Sequence, residues 1–445
     1  MFDRLTTVTQ KISPGMRKAI HNIGWLTAER ILSMALTLAV GIQVVRYLGP
    51  ENFGKLSYGI SLAGLFGAVS KLGLDSIVVR NIVRDESSTA ETLGTACFLK
   101  FIASFITIGL VGCTTWGLNT DPQVRWISII VASGLVFQSL EVINFWFQSI
   151  VFSQAIAGVR TIALILSSIL KLLFISLKFP IIAFAWLMFL DLFIASLGMI
   201  WVYLKHNQSF LVWKISWFRA RDLLNDSYPL ILSAVMVTIY MKIDQVMLGN
   251  MSTNEAVGNY AAAVRFSEVW YFFPVVICSS VFPAIVRAKQ RSEQEYYFRL
   301  QQLYDLMVGM SLMVAIPMTF LSGDLITSLL GKEYVSAKAI LAMHIWTGPF
   351  VFLGVARGKW LTIENLTHLT FLTTTIGATS NIFLNLALIP TYGGFGAALA
   401  TIISQAISLF SCHFYPRLFR TGWMLIKALF IVVRINSYFK KPISL

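Results

Sequence analysis

Charged side chains interrupt the long apolar segments of this 445-residue chain, and their chemistry needs an explanation. A charge at the centre of a bilayer costs roughly 2.5 to 3.5 kcal/mol even on lenient insertion scales. Such groups must pair, reach an interface or face water, so they indicate a polar pathway by default. The basic ones are Arg30, Arg46, Lys71, Lys100, Arg160, Lys171, Lys242 and Arg265. The acidic ones are Glu29, Asp75, Glu141, Asp191, Asp244 and Glu268.

Four of these charges stand in two pairs at helical spacing. Lys71 and Asp75 are spaced i,i+4, so on one helix they would share a face and could pair. Arg265 and Glu268 are spaced i,i+3 and could do likewise. Two interpretations remain open for each pair. One is a buried bridge that holds helices together, and the other is a cationic lumen for an anionic substrate, which the excess of basic residues favours.

Lys242 and Asp244 are two residues apart and therefore point to different faces of a regular helix. One could reach a lumen while the other meets a neighbouring helix. Arg30 lies about a turn and a half inside the first apolar segment. Snorkelling to an interface remains open for Arg46, Arg160, Lys171 and Asp191.

No metal, cofactor or catalytic site is predicted. The five histidines stand at no metal-ligand spacing from one another or from Cys or carboxylate residues. The cysteines lie in or beside apolar runs without paired spacing, which predicts buried, reduced thiols. They are Cys97, Cys113, Cys278 and Cys412.

The elements that carry these charges are membrane spans. The chain is 56% hydrophobic and only 13% charged, too few charges to cover the surface of a soluble protein of this size. About twelve apolar segments, from Trp25 to Tyr415, are long enough to cross a bilayer. The patch from Trp423 to Val433 is too short and contains Lys427, which predicts an interfacial helix. The first twenty or so residues are polar, so no removable signal peptide is predicted.

Basic residues alternate in number from loop to loop. If the N-terminus is cytoplasmic, about 22 of the 35 basic residues fall on the cytoplasmic side. About five fall on the opposite side, namely Lys55, Arg125, Lys178, Lys332 and Lys338. This bias predicts an even number of spans with both termini in the cytoplasm. It also accounts for the net charge of +14 without a nucleic-acid partner.

An internal repeat relates two outer turns. The first contains Glu51-x-x-Gly54 and the second contains Glu255-x-x-Gly258. The helix after each turn ends on a basic residue, Arg80 or Arg287. Equivalent turns on the same side, six spans apart, predict two parallel six-helix lobes, although shared turn chemistry without homology remains an alternative.

The sequence therefore predicts an all-α polytopic membrane protein with about 12 transmembrane helices in two pseudo-symmetric lobes. All connections are short, so no soluble domain is inserted, and this disfavours an enzyme such as a polymerase or ligase acting on lipid-linked sugars. The predicted parts are a cytoplasmic segment 1–20, a lobe 21–204, a cytoplasmic linker 205–225, a lobe 226–420 and a basic interfacial tail 421–445.

Motifs in both halves resemble one family of transporters. In the second half they are Tyr240-Met-Lys-Ile-Asp-Gln-Val-Met-Leu-Gly249 and the run from Val257 to Pro274. In the first half they are Tyr47-Leu-Gly-Pro-Glu-Asn-Phe-Gly54 and Gly73-Leu-Asp75. These segments are similar to the Wzx-type polysaccharide-transporter flippases, whose superfamily also holds the MATE exporters and the lipid II flippase. The resemblance covers nearly the whole chain.

The resemblance implies a MATE-like, V-shaped pair of lobes around a central cavity that works by alternating access in a bacterial inner membrane. The implied cargo is an undecaprenyl-diphosphate-linked oligosaccharide for O-antigen, capsule or exopolysaccharide. Cavity cations of such flippases match Arg30, Lys71, Lys242 and Arg265. The hypothesis is that Arg265, Lys242 and Arg30 hold the diphosphate by charge-assisted hydrogen bonds while the lipid tail stays in the bilayer.

Transport by such a protein could be coupled to an ion, and a second function is also considered. Asp75, Asp244 or Glu268 could bind a coupling proton or sodium ion, and the sequence does not choose among them. The rival is a MATE-like ion-coupled exporter of small amphipathic molecules. Cavities for cationic drugs favour acids, whereas basic residues prevail here.

Overall fold

The computed structural model describes residues 14–118, 120–152, 154–413 and 418–431, with side chains from Leu32 onward. All regular structure in these ranges is helical. Ten of the described helices are long and apolar enough to cross a membrane. The predicted all-α, multi-pass architecture is thereby confirmed. Arg30 lies in a helix, but its side chain is outside the described part of the chain.

The chain divides into two compact units. The first comprises the chain up to Leu48 with Gly59–Val235, and the second comprises Gly49–Tyr58 with the chain from Met236 onward. The helices of the first half are α1 (Pro14–Lys71), α2 (Asp75–Arg84), α3 (Thr89–Gly117), α4 (Pro122–Gly134), α5 (Val142–Ser149), α6 (Gln154–Ser176) and α7 (Ile181–Lys205). Those of the second half are α8 (Trp217–Met251), α9 (Asn254–Glu268), α10 (Phe272–Arg291), α11 (Glu293–Leu329), α12 (Ala337–His344), α13 (Gly348–Ile363), α14 (Thr367–Phe410) and α15 (Phe419–Leu429).

Single glycines interrupt the two longest helices. Gly49 within α1 has φ 70° and Gly393 within α14 has φ 54°, both outside helical geometry. Positive φ is readily available only to glycine, which has no Cβ. Pro50 follows Gly49 and lacks the N–H that would continue the hydrogen-bond ladder. Each of these helices therefore consists of two helical segments.

The outer surfaces of the helices are apolar. Met313 and Phe320 on α11 are 77% and 80% exposed, and Ile162 on α6 and Phe383 on α14 are exposed to a similar extent. Large apolar side chains exposed to this extent on so many helices are unusual for a soluble monomer. Lipid is the solvent that these side chains require.

The predicted linker 205–225 is only partly irregular, because α8 already begins at Trp217. Its backbone is held against α3 within the first unit. Ser216 N donates to Thr95 Oγ1 over 3.1 Å, and Lys214 N donates to the Ala90 carbonyl oxygen over 3.3 Å.

Candidate functional site

Lys71 and Asp75 do not share a helix. α1 ends at Lys71 and α2 begins at Asp75, while Leu72 and Gly73 between them have φ values of 55° and 57°. The expectation that the pair occupies one helix face is therefore wrong, because this left-handed turn breaks the 3.6-residue periodicity. Both side chains are exposed, and among the ion pairs of the described residues none joins them.

An ion cluster around the buried Lys100 lies near this turn in the first unit. The Lys100 side chain is fully buried, and its Nζ lies 3.2 Å from Glu141 Oε2 and 5.0 Å from the centre of the Phe145 ring. Arg160 Nη2 lies 3.6 Å from the other oxygen of Glu141. Asp75 is close enough to Lys100 and Glu141 to interact with both electrostatically. For Lys100 the geometry is that of a bridge between helices.

Lys171 and Asp191 pair across α6 and α7. Lys171 Nζ lies 3.0 Å from Asp191 Oδ2, and both side chains are partly exposed. Snorkelling is not needed to explain either residue, because each supplies the other's counter-charge within the first unit.

Arg357 is a buried cation within α13. Its Nη1 donates to the carbonyl oxygens of Ser408 and Leu409 over 3.0 and 2.6 Å, and Nη2 donates to Thr373 Oγ1 over 3.0 Å. α14 ends at Phe410, so these carbonyls belong to its last turn, where the helix dipole favours a cation. The end of α14 therefore compensates the buried charge of Arg357.

Asp244 is the carboxylate of the second unit with a complete shell of neutral partners. Its side chain is only 4% exposed. Tyr260 and Thr401 each donate a hydroxyl to Oδ2 over 2.7 Å, and Asn385 Nδ2 donates to Oδ1 over 2.6 Å. No ion pair of the described residues includes Asp244, and the hydrogen-bond partners of its carboxylate are all neutral.

Two asparagines on α14 extend the shell. Asn385 Nδ2 also donates to Asn381 Oδ1 over 3.0 Å, and Asn381 Nδ2 donates to Ser404 Oγ over 3.3 Å. Asn385 Oδ1 is buried and has no hydrogen-bond partner. Asp244, Asn381, Asn385 and Thr401 therefore gather carboxylate, amide and hydroxyl oxygens, the donor set of a hard cation, while the carboxylate alone could hold a proton.

The asparagines and Thr401 were missed by the sequence reasoning, which considered only charged residues within the spans. Their signal was available, because Asn381 and Asn385 are two amide side chains spaced i,i+4 within a predicted span. Uncharged polar side chains inside a span are also expensive unless they find partners.

Arg265 does not pair with Glu268, as the i,i+3 spacing had allowed. Its guanidinium lies 5.7 Å from the centre of the Phe53 ring, and no carboxylate forms an ion pair with it among the described residues. The side chain is half-buried. Lys242 is also half-buried and interacts electrostatically with Glu268 without forming a direct ion pair. The second unit thus holds Arg265, Lys242, Asp244 and Glu268 on α8 and α9.

The two Glu-x-x-Gly turns meet in the second unit through their glycines. A Cβ on Gly54 would lie 2.9 Å from Gly258 N and would overlap the Asn254 carbonyl oxygen. A Cβ on Gly258 would lie 3.0 Å from Gly54 N and would overlap the Pro50 carbonyl oxygen. The contact is reciprocal, and Arg265 and Phe53 lie on the same pair of helices.

Two known protein families match this sequence. The sequence pattern of the family described as polysaccharide biosynthesis protein matches residues 19–289, more than half of the chain. The MatE pattern matches residues 229–387.

Two curated relatives are similar in sequence. The probable low-salt glycan biosynthesis flippase Agl15 of Haloferax volcanii is 26% identical over 44% of this chain, and the match spans 42% of Agl15. The capsular polysaccharide biosynthesis protein CapF of Staphylococcus aureus is 22% identical over 90% of this chain and all of CapF.

Solved structures share the fold. The lipid II flippase MurJ in an inward closed conformation superposes with a TM-score of 0.72 at 15% identity, covering 94% of this chain and 93% of that one. An inward-facing multidrug resistance MATE transporter of the MOP superfamily gives 0.66 at 16% identity, covering 92% and 98%. The chain therefore belongs to the polysaccharide biosynthesis protein family, and the expected kinship with Wzx-type flippases of the MATE-like superfamily is confirmed.

Proposed function

We propose that this protein is a flippase that carries an undecaprenyl-diphosphate-linked oligosaccharide from the cytoplasmic to the periplasmic leaflet of a bacterial inner membrane. The cargo's glycan and diphosphate are costly to bury in lipid without partners, so they require a polar route. Alternating access supplies that route while the polyprenyl tail stays in the bilayer. No bond is made or broken, so the protein acts as a transporter and not as an enzyme.

The topology proposed for this function has twelve spans. The helical segments on either side of Gly49, and those on either side of Gly393, each count as two spans, which raises the ten candidate helices to twelve. An even number, with the basic loops in the cytoplasm, leaves both termini there. The lobes 21–204 and 226–420, joined by the linker 205–225, are part of the same proposal.

The observation that carries the proposal is the state of Arg265. A half-buried guanidinium in a membrane span needs a counter-charge, and the described residues offer it only an aromatic ring. A diphosphate supplies that charge and matches the donor fork of arginine. Lys242 on the neighbouring helix, together with Lys71 and Arg30, completes the proposed set of cargo cations. An exporter of cationic drugs would need carboxylates at these positions to bind its substrates.

Asp244 is the proposed ion-coupling residue. Its neutral shell and the unpartnered oxygen of Asn385 fit a sodium ion or a proton, and binding either one would remove the cost of an uncompensated buried charge. Asp75 and Glu268 remain weaker candidates, because Asp75 is exposed and Glu268 already has Lys242 beside it.

Flipping in proteoliposomes tests the cargo. A labelled undecaprenyl-diphosphate oligosaccharide is reconstituted, and its exposure to an external, membrane-impermeant glycosidase is followed. We expect protein-dependent exposure that Arg265→Gln slows by about tenfold or more, since a charge-assisted hydrogen bond contributes about 1.5 to 3 kcal/mol. Arg299→Gln is the matched control, because Arg299 is exposed and paired with Glu295. No exposure with several glycans would favour the exporter of small amphipathic molecules.

Imposed gradients test the coupling. Flipping is measured with a sodium gradient, with a proton gradient and with neither, for the wild type and for Asp244→Asn. We expect one gradient to accelerate the wild type and to have no effect on the variant. An Asp244→Asn protein that still responds fully would transfer the coupling role to another residue without touching the assignment of the cargo.

A further inference from the structure

α15 presents a regular alternation of aromatic and basic side chains on one face. Phe419, Arg420, Trp423 and Lys427 are exposed there, at spacings that keep them on one side of the helix, and the exposed Phe430 directly follows its last residue. The opposite face, with Met424, Leu425 and Ala428, is buried in the second unit. At 11 residues the helix is far too short to span a bilayer, which takes about 17 or more.

A cavity of about 640 Å³ lies between this face and the first turns of α11. Its walls include Phe298 of α11 with Phe419 and Trp423 of α15. These aromatic side chains are 60%, 67% and 52% exposed. Volumes of this size hold ligands of drug-like dimensions or larger, and aromatic walls of this kind suit a hydrocarbon chain.

Arg420 and Lys427 are the charged residues that line the cavity. The Arg420 guanidinium lies 3.5 Å from the centre of the Tyr297 ring and 3.2 Å from Glu293, which does not line the cavity. Lys427 Nζ lies 6.0 Å from the centre of the Trp423 ring. The two cations are thus positioned on aromatic faces beside an open apolar groove.

We propose that this cavity is a binding site for an anionic phospholipid of the bilayer. The phosphate would contact Arg420 and Lys427, and an acyl chain would lie along Phe298, Phe419 and Trp423. Basic pockets beside membrane helices recognise anionic head groups in this way, and Trp is favoured at the depth of the head groups. None of its residues is among the cations assigned to the diphosphate of the cargo.

Quenching of Trp423 by brominated lipid tests the site in the full-length protein. The protein is reconstituted in vesicles containing either brominated phosphatidylglycerol or brominated phosphatidylcholine, without any lipid-linked sugar. The Trp423→Phe variant isolates the signal of Trp423 from the other tryptophans. We expect brominated phosphatidylglycerol to bind about 5- to 25-fold more strongly than phosphatidylcholine, since each cation near the surface contributes about fivefold.

The preference should fall to near unity in Arg420→Gln/Lys427→Gln and remain in Arg420→Lys. The double variant Arg287→Gln/Arg299→Gln removes the same charge from exposed arginines that do not line the cavity, and it should keep the preference. Equal quenching by the two lipids, or equal losses in both double variants, would overturn the proposal. Displacement by soluble glycerol phosphate would also overturn it in favour of a site for free phosphate.

Discussion

Placing a methyl group at Gly258 tests whether the reciprocal glycine contact holds α9 against the part of α1 that follows Gly49. The Cβ of Gly258→Ala would overlap the carbonyl oxygen of Pro50 and lie 3.0 Å from Gly54 N. Both neighbours are backbone atoms, so no side chain can rotate away. The two segments must separate, and the packing of Phe53 and Arg265 loosens with them.

The magnitude follows from two opposing effects. Overpacking costs about 1 to 3 kcal/mol, and unyielding backbone on both sides places Gly258→Ala near the upper end. Alanine regains up to about 1 kcal/mol of helix propensity over glycine. We expect a net loss of about 2 kcal/mol. Gly54→Ala should lower the unfolding free energy by about the same amount. The double variant should lose clearly less than the sum of the two single losses, because the first methyl group already separates the two segments and leaves room for the second.

The free energy of unfolding in detergent micelles is the measurement, combined with hydrogen exchange over residues 50–58 and 254–262. Hydrogen exchange detects a contact that opens locally without global unfolding. Gly354→Ala and Gly358→Ala are the controls, because nothing lies within 4 Å of a Cβ at either position. They should stabilise by about 0.5 to 1 kcal/mol. A Gly258→Ala protein that behaves like these controls, with unchanged exchange in both segments, would refute the contact.

Substitutions at three buried charged residues give further predictions. Lys100→Met should cost about 3 kcal/mol in unfolding free energy by leaving Glu141 short of its buried partner, and adding Glu141→Gln should recover most of the loss. Arg357→Met should cost about as much in the same unfolding assay by removing donors from the last carbonyls of α14, whereas Lys359→Met should change stability by less than about 1 kcal/mol. Asp244→Asn should be at least as stable as the wild type in thermal unfolding, while Asp244→Ala should lose about 2 to 4 kcal/mol by orphaning its donors. A destabilised Asp244→Asn would contradict the neutral shell.

Hydropathy and charge pattern were sufficient to predict the membrane fold, because lipid forces every span to be a long apolar helix. Helical periodicity gave a wrong local prediction where the chain forms a turn instead of continuing a helix. Lys71 and Asp75 stand at helical spacing, but Leu72 and Gly73 adopt positive φ between them. Gly73 was visible in the sequence, yet a glycine within an apolar run fits both a helix and a turn, and only packing decides between them.

Partners of buried charges were harder to predict than the charges themselves. The i,i+3 spacing of Arg265 and Glu268 predicted an ion pair within one helix. The partners of a charged side chain in a span lie mostly on other helices, far away in sequence. Asp244 contacts Asn385 and Thr401, 141 and 157 residues later. Sequence periodicity reports which side of a helix faces inward, and it carries no information about what stands opposite. The sequence named Asp244 only as one of three ion-coupling candidates. Its neutral partners Asn385 and Thr401 distinguish it from the other two, and a search for charged residues does not find them.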